Sequence, residues 1–139
     1  MMLRRIHATF TLLLLVLVVG CGSNNQKLTG TVTFSDDGSP LTTGTVVLES
    51  NNRNGHGVID ANGHFEMGFA SERDGIPKGE TYKVTIVNAL DKTERDKSGM
   101  PIQTPLINPK YSNPNTSGFT FTADGKTKTL DLKVDRYTK

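Results

Sequence analysis

The stretch Leu28-Thr29-Gly30-Thr31-Val32-Thr33-Phe34 puts Leu28, Val32 and Phe34 on one side of an extended chain and three threonines on the other. Strict alternation of this kind is the mark of a half-buried strand. The same pattern recurs along the chain. Val46 and Leu48 mark a strand over 45–50, and Val58 is expected inward on a strand over 56–60. Phe65, Met67 and Phe69 alternate with His64 and Glu66 over 64–70. Tyr82, Val84 and Ile86 alternate with Thr81, Lys83 and Thr85 over 81–88. Phe119 and Phe121 follow in 118–123, then Leu130, Leu132 and Val134 against Asp131, Lys133 and Asp135. Turn chemistry separates these runs, as in Asp36-Asp37-Gly38-Ser39-Pro40 and Asp60-Ala61-Asn62-Gly63. No helical periodicity appears after residue 26. Sheets with one wet face are antiparallel, and without a helix to cover them two must pack on each other. The expectation is an all-β, seven-stranded antiparallel sandwich forming one domain over 27–139.

The leading segment is of another kind. Residues 1–20 hold 14 of the 48 apolar residues and both of the charges, Arg4 and Arg5, that make the chain's net charge +2. Residues 21–139 carry 14 cationic and 14 acidic side chains and so sum to zero. A polybasic nucleic-acid binder, an acidic tail and a multi-span membrane protein are thereby excluded. The run Leu12 to Val19 is too short to span a bilayer, which needs about 20 residues, and fits the apolar region of a signal peptide. Val18-Val19-Gly20-Cys21 resembles the bacterial lipobox. That resemblance implies cleavage between Gly20 and Cys21 and a lipid on the Cys21 sulfur. Cys21 is the single cysteine, so no internal disulfide competes for it. Residues 1–20 are then a lipoprotein signal peptide and 21–26 a lipidated N-terminus and polar tether. Gly22 in place of Asp does not favour retention at an inner membrane. The expected location is the bacterial cell envelope, on the outer membrane and facing the periplasm or the cell surface.

Three further segments resemble carboxypeptidase regulatory-like, transthyretin-like domains. Gly30-Thr31-Val32 with Asp37-Gly38-Ser39-Pro40-Leu41 resembles their G-x-V strand and D-G-x-P-L turn. Asp60-Ala61-Asn62-Gly63-His64-Phe65 is similar to their D-x-x-G-x-F hairpin. Ile76-Pro77-Lys78-Gly79-Glu80-Thr81-Tyr82-Lys83-Val84 is similar to their L-P-x-G-x-Y-x-V segment, with one residue more. The resemblance extends to small bacterial envelope lipoproteins made of one such domain. It implies a Greek-key sandwich and no catalysis.

Chemistry-bearing residues are sparse. His56, His64 and Glu66 suggest a metal, but zinc takes three or four convergent ligands. Pairing residue 58 with 65 across the Asn62-Gly63 turn sets His56 opposite Met67, away from His64. Asp and Asn before Gly at 36–38, 60–63 and 124–125 are expected from turn geometry rather than as calcium ligands. No metal and no cofactor are expected. A Lys–Asp or Lys–Asn crosslink drawn from Lys27, Glu49, Glu66 and Asp131 is disfavoured, because all four are expected to face outward. No nucleophile constellation is present. The segment 89–117 stands out, with a charged start (Asp91 to Lys97) and four prolines, Pro101, Pro105, Pro109 and Pro114, among apolar residues. A loop this long is functional or strapped along a sheet edge. Met100, Ile102, Leu106 and Tyr111 are its candidate partner-binding residues. The functional expectation is a non-catalytic, lipid-anchored monomer with a structural or protein-interaction role, with the membrane, through its lipid, and an envelope protein as its candidate partners, and no nucleic acid. The alternative is a binding module for a small molecule, glycan or peptide using the 89–117 loop.

Overall fold

The computed structural model describes residues 24–51, 53–69 and 74–139. The signal segment, Gly20 and Cys21 lie outside the described residues. The strands are β1 (Asn25–Gln26), β2 (Thr29–Phe34), β3 (Thr45–Ser50), β4 (Arg53–Val58), β5 (His64–Glu66) and β6 (Ile76–Pro77). They continue as β7 (Thr81–Val87), β8 (Leu90–Asp91), β9 (Thr104–Pro105), β10 (Phe119–Thr122) and β11 (Thr129–Val134). A short 3₁₀ turn spans Pro109–Ser112.

The two larger sheets run in the order β10-β7-β3-β4 and β11-β2-β5, and the pairs β1-β6 and β8-β9 are separate ribbons. The alternating residues of the two larger sheets meet in one interior. Val46, Leu48, Tyr82, Val84, Ile86 and Phe121 of the first share a core with Val32, Phe34, Phe65, Leu132 and Val134 of the second. Each such side chain contributes roughly 1.5–3 kcal/mol on burial. This is a β-sandwich. Tyr82 is fully buried, and its hydroxyl donates to the Pro77 carbonyl at 3.0 Å, so its one polar atom is satisfied inside the core.

Two expectations are corrected. The first concerns β4. Val58 is 61% exposed, and the inward positions of β4 are Gly55 and Gly57. A side chain at Gly57 would collide with the Glu66 carbonyl and the Met67 sulfur, and one at Gly55 with the Phe69 ring. The neighbouring segment approaches so closely that only glycine fits the inner face, which turns Val58 to solvent. Pairing is also one residue off the expected register. His56 bridges Gly68, with amide–carbonyl bonds in both directions at 2.9 and 3.0 Å. A one-residue slip reverses every side chain on a strand.

The second correction is that β11 pairs with β2 in parallel, from Thr129↔Thr29 to Val134↔Phe34. The cause lies in where the chain arrives. β10 is antiparallel to β7 and finishes where β7 begins, with Thr122 opposite Thr81. β1 pairs with β6 just before β7, so β2 starts at that same end. Both β2 and β11 therefore run from one end of the sandwich to the other in the same direction.

The registers define two ends. Near the start of β7 lie β1, β6 and the 123–128 turn, and this is the tether end. Near its finish lie Gly44, Ile59 and Ala89, which a side chain on Gly44 would touch, and the Asp60–Gly63 turn. β7 has seven residues, so the ends are roughly 23 Å apart at about 3.3 Å per residue.

Candidate functional site

The distal end carries the segment singled out in the sequence. Its first part is a hairpin arm. Leu90↔Pro105 and Asp91↔Thr104 form its base, and Arg95↔Pro101 continues the pairing. Every residue from 92 to 103 is exposed. The tip is built by Asp96, whose carboxylate accepts from the Ser98 amide and hydroxyl, both at 2.8 Å, and from the Met100 amide at 2.9 Å. The Ser98 hydroxyl and these amides hold the Asp96 carboxyl below its usual range. The Thr93 hydroxyl and amide do the same for Asp91 at the base. Arg95 closes the tip by donating to the Gly99 carbonyl at 2.9 Å.

The arm shows apolar side chains to water: Met100 is 66% and Ile102 41% exposed. They are two residues apart on an extended segment and so share a face. The ladder also explains the prolines. Ile102 donates to Glu94 and Leu106 to Ala89, so the amides of even-numbered residues point into the hairpin. Pro101 and Pro105 fall at the alternate positions, where an amide would point off the outer edge. They remove those donors and blunt the edge against strand addition. What remains for contact is the side-chain face.

The other two candidates, Leu106 and Tyr111, are structural. Leu106 is half-buried against the core and Tyr111 is buried. Residues 106–108 are strapped to the chain end, with Asn108 donating to the Asp135 carbonyl and Tyr137 to the Leu106 carbonyl, both at 3.0 Å. Tyr111 stacks on Phe119 at 5.4 Å, and its hydroxyl donates to the Asp135 carboxylate at 2.9 Å. Lys110 reaches the same carboxylate at 2.8 Å. These bonds, with one from Ser35, hold the Asp135 carboxyl far below its usual range. The segment is thus a free arm followed by a strap. A ligand pocket beneath it, which would need an accessible Tyr111, is replaced by packed core.

Sequence reasoning missed the clasp beside the strap. Arg136 donates to Asp36 at 2.8 Å and to Asp37 at 2.9 Å while lying 3.7 Å over the Phe34 ring. Bonds from Ser39 and the charge of Arg136 lower the Asp37 carboxyl to about 2.

The two histidines share a surface after all. A concavity of about 550 Å³ on the outer face is lined by Thr31, His56, Val58, His64, Glu66 and Asp131, among others. The corrected register brings His56 and His64 to one surface. Its polar groups already serve each other: Asp131 accepts from the Thr31 amide and hydroxyl, and Asp60 accepts from the Asn62 and His64 amides. Among the described residues, no three His, Cys, Asp or Glu side chains are placed to hold a metal ion. Of the crosslink candidates, Lys27 lies 3.9 Å from Glu66 across an exposed surface.

At the tether end the organising residue is Gln26. It is buried, and its amide donates to the Thr127 carbonyl at 2.8 Å while its oxygen accepts from the Gly125 amide at 2.5 Å. The sequence suggested a polar tether through residue 26. In the structure Asn25–Gln26 is part of the folded body, paired with Ile76–Pro77.

No family model matches the chain, and no curated protein matches it. Among solved structures it is similar to the major pilin subunit of Bacillus cereus, with 17% identity and a TM-score of 0.48, over 82% of this chain and 30% of that one. It is also similar to a 9R-lipoxygenase from Cyanothece, with 21% identity and a TM-score of 0.37, over 79% of this chain and 16% of that one. The chain thus spans less than a third of either protein, and neither likeness is strong enough to bear on function.

Proposed function

We propose that the chain is a non-catalytic, lipid-tethered domain of the bacterial cell envelope that holds a docking arm clear of the membrane. Cys21 carries the lipid after cleavage behind Gly20, and the exposed Met100–Ile102 face meets another envelope protein. The observation that carries this reading is the separation of the two features. The chain enters the sandwich beside the start of β7, and the arm leaves from its finish, roughly 23 Å away. A pre-ordered tip lowers the conformational cost of association. Lipidation and secure anchoring are consistent with the lipobox, since two or more acyl chains hold a protein at a bilayer effectively permanently.

The experiment is a pull-down from envelope membranes with the intact lipoprotein, set beside the Met100→Asp/Ile102→Asp variant and the Cys21→Ser variant. The expected result is a partner held by the parent and lost with the arm variant, and release of the Cys21→Ser protein from membranes. An arm variant that retains every partner overturns the docking role. Unchanged membrane retention of Cys21→Ser overturns the tether.

A further inference from the structure

We propose that the tether end is a lysine seat for an anionic phospholipid surface, which sets the domain upright on its membrane; the geometry rests on the lipid-tether reading above. Lys27, Lys78, Lys126 and Lys128 are all exposed and all belong to segments bound to one another around the chain's point of arrival. Lys78 donates its backbone amide to Asn24 at 3.0 Å. Gln26, next to Lys27, is bonded to Gly125 and Thr127, which flank Lys126. Thr29 donates to the Lys128 carbonyl at 3.0 Å. The Lys78 stem runs past Gly125, its Cδ 3.5 Å from where a side chain there would begin.

The carboxylates beside these lysines are engaged by neighbouring groups, and Glu80, two residues from Lys78, accepts from the Ser50 hydroxyl and faces Arg53 at 3.7 Å. Asp124 accepts from the Lys126 and Thr127 amides and the Thr127 hydroxyl, which keep its carboxyl below the usual range. Asp74 accepts from the Phe69 amide. Glu66 faces Lys27. The lysine stems are long and reach past these short, engaged groups.

The membrane is brought to these lysines by the sequence itself. Cys21 precedes Asn24 by three residues, a span of at most about 11 Å. That is close to the Debye length of about 8 Å at physiological salt, so the lysines sit within reach of a charged surface. Each lysine near an anionic leaflet strengthens binding by about fivefold. Residues 21–139 have no net charge, so any attraction must come from this local arrangement.

The test uses the chain from residue 21 onward with Cys21→Ser, which carries no lipid, so its outcome is independent of the tether. It is co-sedimented with vesicles of phosphatidylcholine, with and without phosphatidylglycerol. The expected result is binding to the phosphatidylglycerol vesicles alone, abolished at high salt. Lys78→Glu/Lys126→Glu/Lys128→Glu should weaken it at least about tenfold. Lys92→Glu/Lys97→Glu, a charge reversal on the arm, should leave it within about threefold of the parent. All five positions are exposed, and circular dichroism checks that each variant keeps its fold. No binding, equal binding to both vesicles, or equal loss with the arm variant overturns the proposal. Failure of the Cys21→Ser release experiment would instead strike the tether reading.

Discussion

The tether end and the distal end solve opposite problems with the same kinds of residue. At the tether end a polar side chain, Gln26, is buried and bonded on both sides, so a segment with polar composition becomes part of the body. At the distal end Met100 and Ile102 stay in water on an arm ordered by its own backbone and by Asp96. Composition alone would assign these roles the other way round. Hydrogen bonding decides, because a buried amide with two partners is stable and an apolar side chain on this blunted edge is covered by nothing among the described residues.

The contrast can be pressed from the strongest effect downward. Tyr82→Ala empties the core beside the tether end and should cost about 3–5 kcal/mol, seen as a large drop in denaturant midpoint. A loss under about 1 kcal/mol would mean the two sheets do not close over this ring. Gln26→Ala leaves the Thr127 carbonyl and Gly125 amide without their partner and should cost about 1–3 kcal/mol. Hydrogen exchange should then rise at 24–27 and 123–128 and stay unchanged on the arm.

Acid should act mainly on the distal end, where the two most strongly lowered carboxyls lie. Asp37 is held at about 2 in the fold against an ordinary value of 3.8, and Asp135 is also held low. The unfolded chain therefore binds more protons through this range, and stability falls as pH falls. The thermal midpoint should be level from neutral pH to about 5 and decline from about 4 towards 2. Asp37→Asn should flatten part of that decline, and an unchanged curve would remove the clasp from the account. The smallest effect on stability belongs to Met100→Ser/Ile102→Ser, within about 0.5 kcal/mol of the parent. A larger loss would mean that the arm packs on the body.

Much of the core was legible because alternation survives in single strands. Of the side chains expected inward, those from Leu28 through Val134 lie in or against the core, and Val58 alone is turned out. Val58 misled because the alternation at 55–58 places glycines inward, and a glycine gives no hydropathy signal. That one slip also hid the surface shared by His56 and His64. The direction of β11 was not legible, since a period of two reads the same in parallel and antiparallel pairs. The arm was found as a segment, but its apolar residues could not be sorted. Tyr111 belongs to the core through contacts with Asp135 and Phe119, and Leu106 packs against it with its carbonyl held by the Tyr137 amide, all partners distant in sequence. Nothing local in the sequence distinguishes Gln26 from Asn24 or Asn25.

The most direct test of the opposite-ends arrangement is a spin–spin distance. Labels are placed at Lys92→Cys, at the foot of the arm, and at Lys126→Cys, beside the tether, in the chain carrying Cys21→Ser. Seven strand residues lie between the two levels, so a single distance of about 20 Å or more is predicted. A distance below about 15 Å would put lipid and arm on the same side and contradict the account.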